Sequence, residues 1–477
     1  MRKTVSVKKT YPKNRSQQNA SVKKKPKGLS WLLISLGLTA VSLTSAAAGA
    51  FIAVSLSTTP LQQSSLTPEQ EEVFSKDEAI SYKNLRLPEL SRPVNVLVLG
   101  TKVLTSEIDE KPTEELGYHA LVNSFKGLSD TMVLVRFDPL SNKLSLLSIP
   151  RDTQTTINYE LKKINEANYY GGPSLAAETV SELLGGVPVD RYVRVNIQGV
   201  EKVIDALGGV NVYVPKDMKY TDHSQHLYID LKEGEQHLDG EQAVSFLRFR
   251  YDRYGDIGRV QRQQMFMRAL VEQALKPQTL LRIPEILSII SSYIDTNLTV
   301  EELLALSGFA SQTKRSNVQL LMLPGRFSGD GKHEVSYWLP NRYQIQNMVA
   351  EYFDHGQPSF DMEPTNSTNL RIAIQDSTGD PEAVQRMVNY LRQAGYRRIF
   401  VDDDWPQTLE TTRILAQSGD DLGAATLRAD LGVGEVLVES TGNLASDITI
   451  VLGQDWQNYF PDASVQVKET TSLSTQQ

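Results

Sequence analysis

The stretch Met132–Ile149, MVLVRF-DPLSN-KLSLLSI, decides the fold class. Met132–Phe137 and Lys143–Ile149 are short apolar runs rich in strand-forming residues. Asp138-Pro139-Leu140-Ser141-Asn142 between them has the composition of a tight turn, so the segment reads as a β-hairpin. Working outward, Val94–Leu99 (VNVLVL), Arg191–Asn196 and Val210–Val214 read as further strands. Ser174–Leu184 and Gly199–Leu207 have helical spacing and are closed by the pairs Gly185-Gly186 and Gly208-Gly209. Alternation of this kind predicts an α/β fold, a mixed central sheet covered by helices in αβα layers. Beyond a polar stretch at 355–369, Arg371–Gln375, Pro381–Gln393, Arg398–Val401, Glu435–Glu439 and Asp447–Leu452 predict a second, smaller α/β domain.

The chain has 477 residues, about three domains' worth. At 40% hydrophobic and 22% charged residues, it can build packed cores. Its 49 basic and 57 acidic residues leave a net charge of −8. Ten of the basic residues and none of the acidic ones lie in residues 1–28, so the remainder carries 39 against 57, a net −18. That balance argues against a nucleic-acid partner. The absence of cysteine excludes disulfides, thiol nucleophiles and cysteine metal sites.

An uncharged apolar stretch, residues 29–56, follows the basic segment and is long enough to cross a bilayer as one helix. The positive flank predicts a single-pass protein of the cell membrane, with residues 1–28 cytoplasmic and everything downstream outside. A cleaved signal peptide is the alternative, since Ala46-Ala47-Ala48 supplies small residues. The anchor is preferred because apolar residues resume at Phe51, Ile52 and Val54. Residues 57–92 have the composition of an extracytoplasmic linker. The expected organisation continues with a first α/β domain at 93–327, a connecting segment at 328–369, the second domain at 370–455 and a polar tail at 456–477.

Familiar catalytic signatures are missing: there is no phosphate loop, and His333-Glu334 lacks the second histidine of a zinc-protease motif. The chemistry concentrates in Ser245–Gln264, SFLRFRYDRYGDIGRVQRQQ. Read as a strand, Ser245–Tyr251 places Phe246, Arg248 and Arg250 on one face. A helix expected after Gly255 and Gly258 places Arg259, Arg262 and Gln263 together, with the apolar Phe266 and Leu270 continuing the stripe. Four arginines near a helix N-terminus suit a phosphate-rich head, and the apolar continuation suits a hydrocarbon tail. A solvated basic face is the plainer reading for any one of them. Ser129-Asp130-Thr131 offers a carboxylate and hydroxyls for Mg²⁺ beside phosphates, although Asp130 could equally be a turn residue. Arg151-Asp152 could be a local ion pair, and Lys163-Ile164-Asn165 precedes the break at Gly171-Gly172.

Taken in order, GLSDTMVLVRFDP, LSIPRDT, KINEANYYGG, VDRYVRVNIQGVEKVIDALGGVNVYV, LDGEQAVSFLRFR and DIGRVQRQQ resemble the LytR–CpsA–Psr family of bacterial cell-wall proteins over roughly residues 92–327. Residues 370–455 resemble the accessory LytR C-terminal domain. The resemblance implies a Mg²⁺-dependent phosphotransferase. Such an enzyme takes a glycopolymer from an undecaprenyl-pyrophosphate carrier and attaches it to peptidoglycan, or another wall acceptor, through a phosphodiester. It also implies pyrophosphate-binding roles for Arg151, Arg248, Arg250, Arg259 and Gln263, a substrate role for Lys163, and a metal role for Asp130. Arg262 and Asp256 stand beside these, Asp256 as a second metal candidate, and Asp152 is expected to orient an arginine. One departure stands out: many members carry an aspartate two positions after the glycine ending the first strand, where this chain has Lys102 after Gly100-Thr101. Glu107, Asp109 and Glu110 are the nearby carboxylates. Two alternatives stand beside this reading: a polyprenyl-pyrophosphate hydrolase with water as acceptor, and a non-catalytic binder of lipid phosphate or wall polymer, which Lys102 keeps open.

The charge asymmetry generates a topological expectation. Protease added to intact spheroplasts should digest the part of the chain beyond residue 57; complete protection would contradict the orientation.

Overall fold

A computed structural model describes residues 61–459 apart from 82–87, 104–123, 224–226, 250–255, 281, 315–316, 329–336, 358–368, 403, 406, 418–419, 440 and 444. The expected membrane span falls outside the described residues; among those described, no helix is long and apolar enough to cross a bilayer.

In chain order the first domain runs β1 (Val94–Lys102), β2 (Leu128–Asp138), β3 (Lys143–Ile149), α1 (Ala167–Leu183), β4 (Arg191–Asn196), α2 (Ile197–Leu207), α3 (Gly240–Arg248), α4 (Asp256–Ala274), β5 (Ile294–Thr296) and β6 (Val318–Met322). The six strands form one sheet in the order β5-β4-β1-β2-β3-β6. The β2–β3 hairpin is antiparallel with Val133 opposite Ser148 and Phe137 opposite Leu144. β1 pairs antiparallel with β2 and parallel with β4, and β3 pairs parallel with β6, so the sheet is mixed. Val210–Val214 is a strand, but it pairs with Gly234–Leu238 in a separate ribbon.

Both faces of the sheet are covered, which is why its strands read as nearly continuous apolar runs. Leu97, Leu99, Met132, Leu134 and Leu147 face α1 through Ala176, Ala177 and Val180. Val133, Val135, Leu144 and Leu146 face the opposite layer, meeting Val271 and Met267 of α4 and Phe309. The period-two side-chain alternation thus divides β2 between two cores. Inside α1 the helix breaks at Gly171-Gly172, where Gly172 takes φ +66 just before Pro173.

Four expectations are corrected. Ser245–Arg248 is the end of helix α3 rather than a strand. Asp239 caps that helix by accepting from Gln242 N, and the Gln242 side chain returns the bond to the Asp239 backbone. The connecting segment contributes Trp338, Ile345, Met348, Val349 and Phe353 to the core of the first domain, which therefore extends past 327. The supposed linker also packs onto this domain: Phe74 is in the same core, and Ser64 N donates to Asp295 Oδ1 at 2.6 Å. Trp456, assigned to the tail, is 1% exposed within the second core.

The second domain is a smaller five-stranded α/β unit. In chain order it comprises β7 (Arg371–Asp376), α5 (Pro381–Gln393), β8 (Arg398–Val401), β9 (Arg413–Ala416), α6 (Asp421–Leu431), β10 (Glu435–Leu437) and β11 (Ile448–Leu452). Its sheet order is β8-β7-β11-β9-β10, parallel except at β9–β11.

The turn that sets the β2–β3 register hangs on Asp138. Its Oδ1 accepts from Leu140 N at 2.9 Å and Ser141 N at 3.2 Å, and its Oδ2 from Ser141 Oγ at 2.8 Å. Burial alone would raise the pKa of this carboxyl, but these bonds and Arg136 outweigh it and hold the group below its ordinary value. Replacing Asp138 by Asn should therefore cost about 1 kcal/mol at neutral pH. Because the folded pKa is depressed, the difference should be fully present above the unfolded value of about 3.9 and disappear as pH falls through the folded value. Paired urea titrations across that range provide the check.

Candidate functional site

The site begins with an irregularity between β1 and β2. Gly100 pairs with Thr131 and Thr101 pairs with Ser129, so Asp130 has no opposite residue and the strand bulges there. A bulge reverses the alternation for the residues before it. Ser129 is turned into the interior, where its Oγ donates to the Asn165 carbonyl at 3.3 Å, and it is not available as a metal ligand. Asp130 and Thr131, although consecutive, both line the same cleft. A Cβ at Gly100 would stand 3.0 Å from Thr131 Cβ, so glycine is what lets the strands close here.

The cleft encloses about 250 Å³ between the ends of β1, β2 and β4 and the helices α2, α3 and α4. One part is polar and charged: Lys102, Asp130, Arg248, Gln263 and Asn196. The other is apolar: Val195, Ile197, Val200, Leu227, Val244 and Leu247. Helix α3 supplies Val244, Leu247 and Arg248, which share a face because they stand at i, i+3 and i+4. Asn196 caps α2 by accepting from Gly199 N at 2.8 Å, and the first turn of that helix borders the cleft, so its partial positive charge favours an anion.

A chain of alternating charges leads away from Asp130. Arg151 donates from Nη1 to Asp130 Oδ1 at 2.7 Å, and its Nε lies 3.4 Å from Asp152 Oδ2. Lys163 Nζ donates to Asp152 Oδ1 at 2.8 Å. Backbone bonds hold these segments together: Ile164 N donates to Thr153 O at 2.9 Å and Asn165 N to Arg151 O at 3.2 Å. Gln263 Nε2 reaches the Asp130 carbonyl at 3.4 Å. The fold therefore brings Asp130, Arg151, Lys163, Arg248 and Gln263 into one neighbourhood. Asp152, 8% exposed and shared by two cations, is an orienting group.

Other candidate residues lie elsewhere. Arg262 is 3% exposed; it donates to the Phe249 carbonyl and stacks 5.7 Å from the Phe249 ring, locking α4 to the end of α3. Phe266 is buried with Val210, Val212, Ile229 and Phe246 in the core that backs the cleft wall, since Leu227 belongs to it and Val200 and Leu247 pack on it together with Leu270. Neither lines the cleft, whose apolar wall comes from β4, α2, α3 and Leu227. Arg250 lies outside the described residues, as do the side chains of Asp256 and Arg259 at the start of α4. The cleft residues missed in the sequence, Val244 and Leu247 above all, were detectable from the capping box Asp239-Gly240-Glu241-Gln242, which marks a helix start. Among the described residues no cluster of three His, Asp or Glu side chains could enclose a metal. Asp130 beside Thr131 fits only the open mode in which Mg²⁺ takes one or two carboxylates and completes its shell with phosphates and water.

Fold and cleft together define an α/β domain whose cleft is charged at one part and apolar at the other. The chain belongs to the LytR_cpsA_psr family, whose model matches residues 57–353. A second model, described as LytR cell envelope-related transcriptional attenuator, matches residues 369–456. Polyisoprenyl-teichoic acid–peptidoglycan teichoic acid transferase TagV of Bacillus subtilis is 32% identical over 241 residues, covering 48% of this chain and 61% of that protein. The corresponding TagU of Bacillus cereus is 34% identical over 216 residues, 45% of this chain and 63% of that protein. The match thus spans about three fifths of these relatives' length. The crystal structure of B. subtilis TagV is 28% identical, with TM-score 0.46 over 56% of this chain and 99% of that one.

Asp152 joins two cations and should therefore matter for stability as well as orientation. Asp152→Ala should destabilise the protein by about 1–2 kcal/mol, a discounted figure because Arg151 and Lys163 keep partial solvent access. Chemical denaturation measures it; a change within error would mean that the ladder carries no net stability.

Proposed function

We propose that this protein is a phosphotransferase that moves a glycopolymer from an undecaprenyl-pyrophosphate carrier to peptidoglycan, or another wall acceptor, forming a phosphodiester. The observation that carries the reading is the two-part cleft, with Asp130, Arg248 and Gln263 at one end and Val200, Leu227 and Leu247 at the other. A pyrophosphate with a polyprenyl tail has that same division. The teichoic acid transferases TagV and TagU named above supply the reaction class by similarity.

In this reading the acceptor hydroxyl oxygen attacks the phosphorus that bears the glycopolymer, and its proton passes to solvent. The bond from that phosphorus to the bridging oxygen breaks, and polyprenyl phosphate leaves with the electron pair. Arg151 and Arg248 hold the phosphoryl oxygens and offset the charge that builds on them, while the apolar wall fixes the tail so that attack is in line. The family resemblance assigns Arg250, Arg259 and Lys163 to the same substrate. Mg²⁺, held by Asp130 and assisted by Asp256, would supply further charge neutralisation at the phosphates. The apolar segment 29–56 would anchor the protein in the membrane where the lipid carrier resides, with the catalytic domain outside.

Lys102 favours a second reading. It lines the cleft near Asp130 where many relatives carry a carboxylate, which is compatible with a protein that binds lipid phosphate without turnover.

Detergent-purified protein, incubated with a lipid-pyrophosphate saccharide, peptidoglycan fragments and Mg²⁺, should form the phosphodiester product. Arg248→Ala should lower the rate roughly a hundredfold with an unchanged melting curve. Asp130→Ala combined with Arg248→Ala should cost less than the two effects summed. Release of free saccharide phosphate would indicate a hydrolase; lipid retention without any product would favour the binder.

A further inference from the structure

Away from the cleft, the sheet of the second domain ends in an open edge. β8 (Arg398–Val401) is its outermost strand and, among the described elements, pairs only with β7. Such an edge presents a row of unpaired backbone groups, and charges along it commonly keep other strands away. Here the charges are divided instead. Arg397-Arg398-Ile399-Phe400-Val401-Asp402-Asp403 is basic before its apolar centre and acidic after it. Both arginines are exposed, and Phe400 and Val401 are 37% and 56% exposed. Asp402 N donates to Ile374 O of β7 at 2.9 Å. Backbone groups alternate sides along a strand, so Phe400 also faces β7, while the N–H and C=O of Ile399 and Val401 point out from the edge. Ile399 packs on the core beneath α5 and α6, which turns the Phe400 ring to the opposite face of the sheet. Gln375 Nε2 holds Asp402 Oδ2 at 2.9 Å and fixes that carboxylate at the strand end.

We propose that β8 pairs antiparallel with β8 of a second copy of this chain, about a two-fold axis at Phe400. In that register Ile399 exchanges both backbone bonds with the partner's Val401, and Val401 does so with the partner's Ile399. Phe400 meets its own counterpart, and Arg398 faces the partner's Asp402. These last are non-hydrogen-bonded pairs, in which opposite side chains stand closest. The sequence continues the symmetry outward, with Arg397 before the strand and Asp403 after it. Other arrangements fail on charge or on geometry. A parallel copy sets arginine against arginine. A slip of one residue pairs groups that already bond β7, and a slip of two sets Phe400 against a charge. The two five-stranded sheets would then form one continuous sheet through an isologous contact. A strand of another protein is the competing occupant. The self-complementary order of charges favours a second copy, because a foreign strand would need the same order independently. The inference goes beyond the transferase reading and does not depend on it.

The test uses the full chain in mild detergent. Because the protein has no cysteine, a single introduced thiol reports one position. Phe400→Cys should form a disulfide-linked dimer under a mild oxidant, since Cα atoms of a non-hydrogen-bonded pair stand about 4.5 Å apart. Val401→Cys should not, because its Cα lies roughly 8 Å from its counterpart in this register, beyond bridging distance. Light scattering, with the detergent contribution subtracted, should show a concentration-dependent dimer of the unaltered chain. Arg398→Glu and Asp402→Arg should each weaken it about tenfold, because attraction becomes repulsion at both symmetry-related pairs. Mixing the two variants restores opposite charges at both pairs and should recover the dimer, which misfolded variants would not do. A monomer throughout the dilution series, a dimer indifferent to both charge reversals, or equal crosslinking at 400 and 401 overturns the inference. A dimer with the expected register in a protein that transfers nothing to any acceptor would sink only the transferase reading.

Discussion

One bulged residue organises the charged end of the molecule. Because Thr101 faces Ser129 and Gly100 faces Thr131, Asp130 is the extra residue of β2, and the alternation of that strand reverses across it. Without the bulge, Ser129 rather than Asp130 would share the cleft face with Thr131. With it, one carboxylate is held at a strand end within 2.7 Å of Arg151 and faces the cavity that Arg248 and Gln263 also line. The bulge is tolerable because it lies at the end of a strand whose middle, Met132 to Val135, is buried on both sides and cannot slip.

Helix α4 is the second organiser. It places Gln263 against Asp130, Arg262 on the Phe249 carbonyl, and Val271 on the sheet. Further along, Arg268 bonds Glu439 of the second domain at 3.0 Å, where Glu439 is almost wholly removed from solvent. A helix so constrained on several sides keeps Gln263 at the cleft. A polar contact as buried as Glu439 is costly to break on one side only, so the second domain is tied to the same helix that serves the site.

The electrostatics of the cleft follow a simple division. Cations stand both inside it, at Lys102 and Arg248, and behind it, at Arg151 and Lys163, while Asp130 and Asp152 are spaced between them. Spacing like charges with carboxylates lets several cations gather without bringing in a ligand to do so.

Much of this was legible in the residues alone. The hairpin Met132–Ile149 and the strands at Val94 and Arg191 are short apolar runs bounded by turn residues, and the helices from Ser174 and Gly199 end in glycine pairs. Local chemistry decides such features, and the motif residues could be named for the same reason. Tertiary structure decided what local pattern left ambiguous. Ser245–Tyr251 alternates like a strand, yet it is helical through Arg248 because the Asp239 cap and the burial of Phe246 favour a helix. Arg262 and Gln263 are neighbours in sequence, but about 100° of helix rotation sends one to the Phe249 carbonyl and the other to Asp130. Phe266 and Leu270 continue the arginine stripe in sequence, yet both pack into the core behind the cleft, because a hydrophobic stripe shows that something is buried, not against what. Only the packing of α2 and α3 across the strand ends determined which apolar residues face the cleft and which fill the core.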